Sequence, residues 1–529
     1  MLDYLILNAN IYDGTGHEPY RADVAISRGK ISAIGKITGR ASETIDATGL
    51  SLSPGFIDTH AHSDEQLFME PSRASKLRQG ITTEVNGQCG FSRAPLLPGI
   101  SEEALDYLIT FQSKPPERIP FFEAFGEFMR HIAQMGIGAN QACFVGHNVI
   151  RASVIGMENR PATPAEMEWM KSCVREAMQS GSFGLSSGLV YAPGCYASPE
   201  ELMELAEVAA QYGGIYTSHI RSEADGLLES VGEVIGIARE VGITANIAHI
   251  KALFSRNYDK LPKALAMIEQ ANGAGCNVFF DAYPYTACST MLLNTLPPSY
   301  LSHGIPWLAE HLSVKKNVEA LRRDIYEPME KWENPIPEIG FDGIMVVEAP
   351  LTPEANGKTI AAYAMMRGVD AMDAYAELLA RNKGNVTDVR FAMSEENIEL
   401  VYGNALCTVG TDGIYYGEEL LSHPRSFGSF PRYLGRYVRD RKILPFAEGI
   451  RRVTGLAADH YRLAGKGYIK TGFDADLALF DFDALIDNAD YYDPMALNSG
   501  LKKVWVNGKL AIEDNEERNV RNGRVLRFA

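Results

Sequence analysis

The sequence predicts a (β/α)₈ barrel of the TIM type, joined to a small β-sandwich domain that is built from both ends of the chain. Three observations predict this fold class. The middle of the chain alternates eight short apolar runs with helical patterns, the two ends carry hairpin patterns, and polar groups follow the central runs. Repeated strand-helix units form a parallel barrel with the helices outside.

The first 54 residues have the pattern of short strands. Residues 24–26 and 31–34 are apolar runs on either side of a Ser-Arg-Gly-Lys turn, which is typical of a hairpin. Near the other end, Asn507-Gly508 separates two strand-like runs, and Asn-Gly is a strong hairpin signal. We therefore predict that residues 1–54 and 466–529 form one β domain and that residues 55–465 form the catalytic barrel.

The barrel strands are predicted from short apolar runs, most of which lead into a helical pattern. Residues 163–166 open one helix with a capping-box pattern and a proline at its first position, and Ser198-Pro199 opens another. The predicted strands are residues 56–62, 82–89, 141–147, 183–187, 215–219, 245–249, 278–283 and 406–412.

The spacing between the seventh and eighth predicted strands is irregular, because about 120 residues separate them. Part of this span, at about 297–346, is charged and has a helical pattern. We predict an inserted subdomain there, which either covers the barrel mouth or decorates its surface.

Composition excludes several classes of protein. The chain has 529 residues and a net charge of -17 without a long basic run, which argues against nucleic acid or an anionic membrane as a partner. No apolar run approaches the roughly 18 residues of a membrane span, and the N-terminus lacks a signal-peptide pattern. Seven scattered cysteines suit a reducing compartment. We expect a cytoplasmic protein that acts on small molecules; its oligomeric state is left open.

His60 and His62 end the first predicted strand and are two positions apart. Alternate residues of a strand share a face, so both imidazoles would point to one place, and imidazole is a common zinc ligand. Alone, this pair fits an ordinary strand as well as a metal site. The metal site is favoured because further candidate ligands end later strands, where barrel enzymes have their active sites. These are Cys89, His219, His249 and Asp412.

Six motifs, in this order, resemble those of the amidohydrolase superfamily and, within it, the N-acyl-D-amino-acid deacylases (D-aminoacylases). They are His60-Ala61-His62, Asn86-Gly87-Gln88-Cys89-Gly90, Ser186-Ser187-Gly188-Leu189, Ser218-His219, His249-Ile250-Lys251 and Gly410-Thr411-Asp412-Gly413. The Gly-Gln-Cys-Gly element is the most specific for the deacylases, and the resemblance extends over both β ends. It implies zinc-dependent hydrolysis of N-acyl-D-amino acids to a carboxylate and a free D-amino acid.

The resemblance also implies the ligands. One tight zinc would be held by Cys89, His219 and His249, and a second, weaker position would be completed by His60 and His62 with Cys89 shared. Many binuclear relatives use a carboxylated lysine at the end of the fourth strand, but residues 182–189 contain no lysine. The Cys89 thiolate can supply the bridging or terminal anion instead.

By the same resemblance, Asp412 is a metal ligand and the general base that later returns its proton to the departing amine. The substrate's α-carboxylate needs cationic or hydroxyl partners. The resemblance assigns to this role Lys251, Tyr283 and Arg425, with Tyr191 and Ser289 as neighbours. Four further polar residues near strand ends are candidates for orienting the ligands or for buried polar pairs: His147, Arg221, Glu223 and Asp281. Residues 289–296 contain no basic residue, which favours substrates with neutral side chains.

Other functions stay open at this point. A cyclic-amide hydrolase of the dihydroorotase or hydantoinase type shares the fold and chemistry but usually relies on the missing strand-4 lysine. A deaminase fits the Cys89 motif less well. A barrel without catalysis that serves as a scaffold would have lost ligands, whereas all six candidate groups are present.

Overall fold

A computed structural model of the chain describes residues 1–112, 119–327, 332–415, 417 and 421–528. The strands, in chain order, are β1 (Leu2–Ile11), β2 (Tyr20–Ser27), β3 (Lys30–Gly35), β4 (Ala41–Asp46), β5 (Ser51–Pro54), β6 (Phe56–Asp58), β7 (Ile81–Asn86), β8 (Asn140–Cys143), β9 (Val145–Gly146), β10 (Gly184–Gly188), β11 (Ile215–His219), β12 (Thr244–Ile247), β13 (Val278–Ala282), β14 (Cys288–Met291), β15 (Ile344–Glu348), β16 (Thr387–Arg390), β17 (Cys407–Val409), β18 (Leu477–Phe480), β19 (Leu501–Val506), β20 (Lys509–Glu513) and β21 (Glu516–Glu517).

The helices, in the same order, are α1 (Ser63–Met69), α2 (Ala74–Leu77), α3 (Glu102–Gln112), α4 (Phe125–Met135), α5 (His147–Val154), α6 (Pro164–Gln179), α7 (Pro199–Gln211), α8 (Leu227–Val241), α9 (Lys260–Gly273), α10 (Pro298–Leu301), α11 (Ile305–Leu312), α12 (Lys315–Tyr326), α13 (Ile336–Ile339), α14 (Ile360–Arg367), α15 (Ala371–Arg381), α16 (Glu395–Gly403), α17 (Arg425–Arg432), α18 (Phe446–Arg452) and α19 (Gly455–His460). A π-helical segment, Tyr433–Asp440, continues α17.

Parallel strands close into the predicted eight-membered barrel, in which β8 and β9 together form the third position. One arc is β6-β7-β8 and the other is β9-β10-β11-β12-β13-β17. The arcs join where the Phe183 amide donates to the Cys143 carbonyl (2.9 Å) and where the Asp412 amide donates to the His60 carbonyl (2.8 Å). This confirms the predicted fold class and brings the chain after the last strand next to the chain after the first.

Several barrel strands, although not β10 and β11, end earlier than the sequence predicts. β6 stops at Asp58, because its Oδ1 accepts hydrogen bonds from the amides of His60 (3.2 Å) and Thr411 (2.8 Å) and so replaces the strand ladder. β12 and β17 also stop two or three residues before His249 and Asp412. Most of the candidate ligands therefore lie in short turns just beyond the regular strands, whereas His219 is the last residue of β11.

The outer helices form where their caps predict. Thr163 and Glu166 make the reciprocal capping box of α6, and the Ser198 hydroxyl accepts from the Glu201 amide at the start of α7. The buried faces of these helices carry residues such as Val174 and Leu205, which join the main apolar core against the barrel. Burial of this kind is the main stabilisation of amphipathic helices.

Both ends of the chain contribute to one nine-stranded sheet, ordered β21-β20-β19-β18-β5-β1-β2-β3, with β4 paired to β1. The two ends meet where β18 runs antiparallel to β5, with Ala478 opposite Ser53. The sheet curves around its own apolar core, which includes Ile6, Leu477 and the fully buried Trp505. The expected β-sandwich of both termini is present.

The last residues leave this sheet and cover the amino ends of the barrel strands. Gly523 and Val525 form bridges to Ile137 and Gln141 next to and on β8. No helix in the described ranges is long and apolar enough to cross a membrane.

The segment between β13 and β17 forms a separate layer at the barrel mouth. Its sheet has the order β14-β16-β15, and its helices α10 to α15 share one apolar core with residues that follow β7 and β10. This layer extends from residue 288 to residue 390, which is wider than the 297–346 expected from the sequence. Its first strand, β14, follows β13 closely and so lies beside the strand ends.

Candidate active site

The six predicted groups lie together at the carboxyl ends of the barrel strands. They form three overlapping groups, and within each group the candidate ligand atoms lie within 4.8 Å of one another. The groups are His60, His62 and Cys89; Cys89, His219 and His249; and His60, His249 and Asp412. His60, Cys89 and His249 each belong to two of the groups. The Cys89 thiol lies at the centre of the arrangement, because its Sγ is within 3.7 Å of ring nitrogens of His60, His219 and His249.

Three of the six residues have a left-handed backbone. The φ angles are 54° at Cys89, 34° at His249 and 48° at Asp412. Such conformations cost a non-glycine residue about 1–3 kcal/mol, and they concentrate at functional sites. The turns are also crowded: a Cβ at Gly188 would lie 2.0 Å from the Cys89 carbonyl oxygen. The Cys89 turn thus occupies the space that a side chain at the end of β10 would need.

Distances within the cluster fit a tetrahedral metal site. The Cys89 Sγ lies 3.3 Å from His60 Nε2, 3.7 Å from His219 Nδ1 and 3.4 Å from His249 Nε2. Thiolate and imidazole ligands at ordinary zinc distances in tetrahedral geometry are about 3.6 Å apart. The donor set of soft thiolate and borderline imidazoles also matches zinc.

Asp412 faces this cluster from the last strand. Its Oδ1 lies 3.1 Å from His62 Nε2 and 3.7 Å from His60 Nε2. Its Oδ2 forms an ion pair with Arg425 Nη1 at 2.7 Å. Because Asp412 is 7% exposed, it can reach a substrate in the cavity while it contacts the cluster.

Behind the cluster, buried acids hold the imidazoles. Glu223 Oε1 lies 2.9 Å from His249 Nδ1 and accepts from Lys251 Nζ at 2.5 Å. Asp281 Oδ1 lies 3.2 Å from His60 Nδ1 and accepts from the His249 amide at 2.9 Å. Contacts of this kind fix the ring orientation and tautomer of a metal-binding histidine.

The charges of the cluster balance one another. Burial by itself raises the pKa of the Cys89 thiol, but His60 and His249 hold it well below its usual range. Burial likewise raises the pKa of Asp412, and Arg425 and His249 outweigh this and hold it well below the ordinary value. Burial lowers the pKa of His62, but its bonds to Asp412 and Cys89 raise it to about 9. Ionised thiolate and carboxylate thus face imidazole protons, which a bound cation would replace.

A second buried network joins the first and last strands beneath the cluster. Lys76 Nζ donates to Asp58 Oδ2 (2.7 Å) and to Thr411 Oγ1 (2.6 Å), and the Thr411 hydroxyl donates to Asp58 (2.7 Å). All three residues are almost fully buried. The network fixes the chain that leads to His60 against the chain that leads to Asp412.

Two recesses open above the cluster. The first, of about 750 Å³, contains His62, Phe91, Tyr415 and Arg425, and we refer to it as the His62 recess. The second, of about 460 Å³, contains Lys251, Tyr283, Glu333 and Arg390, and we refer to it as the Lys251 recess. The two are adjacent, because both are lined by Tyr191, Ser289, Thr290 and Asp412.

The structure brings together the residues that the sequence assigned to the substrate carboxylate. The Tyr283 ring lies between two cations, with its centroid 4.7 Å from the Arg425 guanidinium carbon and 5.5 Å from Lys251 Nζ. Arg425 Nη2 donates to the Ser289 carbonyl (3.1 Å), and the Tyr191 ring lies 4.9 Å from the His219 ring. Arg425 Nε is buried without a hydrogen-bond acceptor among the described residues.

Of the four additional polar candidates, Glu223 and Asp281 contact the ligands, whereas the other two lie in separate ion pairs. His147 contacts Glu201 (2.8 Å), and Arg221 pairs with Glu233 (2.8 Å).

Three residues near the site were not singled out from the sequence: Lys76, Glu333 and Arg390. None of them belongs to a motif or ends a barrel strand, so no local signal could have found them.

The barrel, its two-ended β domain and the thiol-centred cluster define the amidohydrolase class of proteins. A sequence model described as the Amidohydrolase family matches residues 347–512. D-aminoacylase from Alcaligenes xylosoxydans xylosoxydans is 31% identical over 99% of this chain and 97% of its own length.

Two solved structures are also similar over the full length. The structure of N-acyl-D-glutamate deacylase from Bordetella bronchiseptica has a TM-score of 0.84 and 32% identity to this chain, and the match covers 99% of each chain. That structure is a complex with zinc and a phosphonate inhibitor that mimics the tetrahedral intermediate. A D-aminoacylase structure has a TM-score of 0.83 and 30% identity to this chain, with 100% of each chain covered. It comes from work on one-metal activation and second-metal attenuation in the binuclear metal centre of that enzyme. The chain belongs to the N-acyl-D-amino-acid deacylase (D-aminoacylase) family.

Proposed function

We propose that this protein hydrolyses the amide bond of N-acyl-D-amino acids to a carboxylate and a free D-amino acid. The observation that carries the proposal is the buried Cys89 thiol, surrounded by imidazoles and facing the Asp412 carboxylate beside a cavity that Lys251 and Tyr283 line. The names of the similar proteins support the same reaction class.

We assign the tight metal position to Cys89, His219 and His249, and a second, weaker position to His60 and His62 with Cys89 shared and Asp412 beside both. Three protein ligands at the tight position leave one site open, which is the pattern of catalytic zinc. Bound zinc would supply a Lewis acid that polarises the amide carbonyl and acidifies the attacking water. The 3.3 to 3.7 Å spacing of ring nitrogens around Sγ supports zinc as the metal.

Asp412 moves the proton in this scheme. Its Oδ1 accepts the proton of the attacking water and then donates it to the nitrogen of the departing amine. Its position supports this role, because Oδ1 lies 3.1 Å from His62 Nε2 while Arg425 Nη1 holds Oδ2 at 2.7 Å. The left-handed turn at Asp412 holds the carboxylate over the cluster.

Lys251, Tyr283 and Arg425 would bind the substrate's α-carboxylate, with Ser289 and Tyr191 beside them. A guanidinium can hold a carboxylate with two parallel hydrogen bonds. The buried Arg425 supports this role, because its Nε is free for an incoming acceptor. A fixed carboxylate position sets the hand of the substrate, because it leaves one direction for the side chain and one for the acyl group.

The remaining assignments follow from the same scheme. Residues 55–465 would carry catalysis, and the β domain of residues 1–54 and 466–529 would support the barrel. We propose a cytoplasmic protein whose partner is its small-molecule substrate, without nucleic acid or membrane binding. The net charge of -17 supports this, because it disfavours polyanionic partners.

The test is amine release from N-acetyl-D-methionine by zinc-loaded protein, followed with ninhydrin. N-acetyl-L-methionine and a hydantoin are the matched controls. We expect hydrolysis of the D-isomer alone, lost on metal removal and restored by zinc. Faster ring opening of the hydantoin would instead support a cyclic-amide hydrolase. Release of no amine from any N-acyl-amino acid would refute the proposed function.

A further inference from the structure

The Lys251 recess contains a cation for which the scheme above has no use. Arg390 lies at the end of β16 in the inserted layer and is 9% exposed. It lines the same recess as His219, His249 and Asp412. Its guanidinium and the metal cluster therefore border one continuous space.

Sheet register directs Arg390 to this space. In the β14-β16 pair, Cys288 is opposite Arg390 and Thr290 is opposite Asp388, so these four side chains share one face of the sheet. Cys288 and Thr290 line the same recess. The intervening Val389 faces a separate apolar cluster on the other side. A shift of one residue would exchange the two faces.

Two neighbouring groups hold the Arg390 guanidinium through its Nε and Nη2 atoms. Nε donates to Asp388 Oδ2 (2.9 Å), and Nη2 donates to the Met291 carbonyl (3.2 Å). Among the described residues, none accepts a hydrogen bond from Nη1. Asp388 is fully buried, whereas Arg390 reaches the recess. The fork is thus anchored and still has donors for an anion in the cavity.

We propose that Arg390 binds a second carboxylate of the substrate, so that the protein prefers N-acyl-D-amino acids that carry two acid groups. This inference rests on the proposed function and specifies its substrate class. The α-carboxylate already has Lys251, Tyr283 and Arg425, so Arg390 is a separate site. The second carboxylate comes either from the amino-acid side chain, as in D-aspartate or D-glutamate, or from the far end of a dicarboxylic acyl group.

The sequence favoured neutral side chains because residues 289–296 contain no base. That argument considered one wall of the cavity only. Arg390 lies on the same sheet face as Cys288 and Thr290 but belongs to β16, a much later part of the chain.

One acid in the Lys251 recess, Glu333, would repel a second carboxylate of the substrate. Glu333 accepts a hydrogen bond from the Glu223 amide and so fastens the inserted layer to the loop after β11. Burial and the neighbouring Glu223 carboxylate raise the pKa of Glu333 to about 7. Protonation of this acid weakens its repulsion of an anion in the recess. If Glu333 governed the recess, cationic side chains would be preferred instead.

The test compares substrates that differ in the second acid group. They are N-acetyl-D-methionine, N-acetyl-D-glutamate, N-acetyl-D-aspartate, N-succinyl-D-methionine and N-acetyl-D-lysine. The variant is Arg390→Gln combined with Asp388→Asn, which removes both charges and leaves no unpaired buried carboxylate. Asp388→Asn alone is the matched control because it keeps the arginine. Thermal unfolding and zinc content establish that all variants are folded and loaded.

We expect at least one dicarboxylic substrate to be preferred over N-acetyl-D-methionine by the unmodified protein. The double variant should lower the ratio of their kcat/KM values by about 10- to 100-fold, the effect of a charge-assisted hydrogen bond. Asp388→Asn should change this ratio by less than about threefold. The best dicarboxylic substrate identifies whether the side chain or the acyl group supplies the acid.

Three results would overturn the inference: preference for N-acetyl-D-lysine, an equal loss on all substrates in the double variant, or an unchanged ratio. Failure of the proposed function gives a different result, because no substrate, including N-acetyl-D-methionine, would then release amine.

Discussion

Glu223→Gln tests how the cluster controls the protonation of His249. Two groups compete for His249 Nδ1: the Glu223 carboxylate at 2.9 Å, which accepts its proton, and the Lys251 ammonium at 2.7 Å, which can only donate to it. If Nδ1 donates to Glu223, Nε2 is free to bind a metal beside Sγ. If Lys251 donates to Nδ1, the proton is on Nε2 and the ring cannot act as a ligand there.

The carboxylate favours the first arrangement because it also binds Lys251 at 2.5 Å. Glutamine keeps the shape but removes the charge, so Lys251 loses its counterion and directs its proton towards Nδ1. Loss of a group that orients a metal-binding histidine weakens metal affinity by about 10- to 100-fold. This corresponds to about 1.4 to 2.7 kcal/mol of binding free energy. We expect the dissociation constant for zinc to rise by that factor in Glu223→Gln.

The assay is a competition titration of metal-free protein against a fluorescent zinc chelator. Glu233→Gln is the matched control, since it removes the same charge from an acid that pairs with Arg221 away from the cluster. Adding Lys251→Met to Glu223→Gln should recover part of the lost affinity, because the competing donor is gone. Equal zinc affinities for Glu223→Gln and Glu233→Gln would refute the reasoning, as would a double variant that binds more weakly than the single one.

Three further variants separate the remaining roles. Asp412→Asn should keep zinc at the tight position and lower kcat by about 10²- to 10⁴-fold, the usual share of a general base; full activity with bound zinc would exclude this role. Arg425→Ala should raise KM for N-acyl-D-amino acids by about 10- to 100-fold with zinc content unchanged, whereas Arg436→Ala, which breaks a partly exposed pair with Glu395, should not. Burial and the Glu223 carboxylate raise the pKa of Glu333 from its usual 4.5 to about 7, so the stability that its proton provides is complete below pH 4.5 and is lost as the pH rises through 7. Glu333→Gln should therefore raise Tm more at about pH 8.5 than at about pH 5; an equal shift at both values would contradict the assignment.

Sequence reasoning succeeded where a local pattern carries the structure. Ile215–His219 was predicted as a strand with the bounds that the structure has, because an apolar run between two helical patterns is typical of a barrel strand. The strand-end rule then located all six cluster residues, although they are far apart in the chain. The rule works because parallel strands bring their carboxyl ends to one rim, whatever the lengths of the connecting helices.

The same reasoning misplaced the strand ends for a physical reason. His60 and His62 were expected to converge by the alternation of a regular strand, but β6 stops at Asp58. They still converge, with ring centroids 5.3 Å apart, because Asp58 and Lys76 fold the turn against the last strand. A buried carboxylate that replaces a strand ladder depends on a partner far along the chain, and no local pattern reveals it.

Residues of the inserted layer were missed for another reason. Arg390 and Glu333 enter the cavity through strand pairing and loop contacts that depend on the whole layer.

The metal cluster and the inserted layer have separate roles in the site. Turns at the barrel rim hold the residues of the cluster in place. These turns are closely packed, because the Cys89 turn leaves no room for a side chain at Gly188, the last residue of β10. In the proposed assignment, the layer carries the residues beyond the substrate α-carboxylate, where one substitution on an existing sheet face would change the charge of the pocket without moving a metal ligand. A change of substrate preference is therefore expected to arise in β14 or β16 and leave the metal cluster intact.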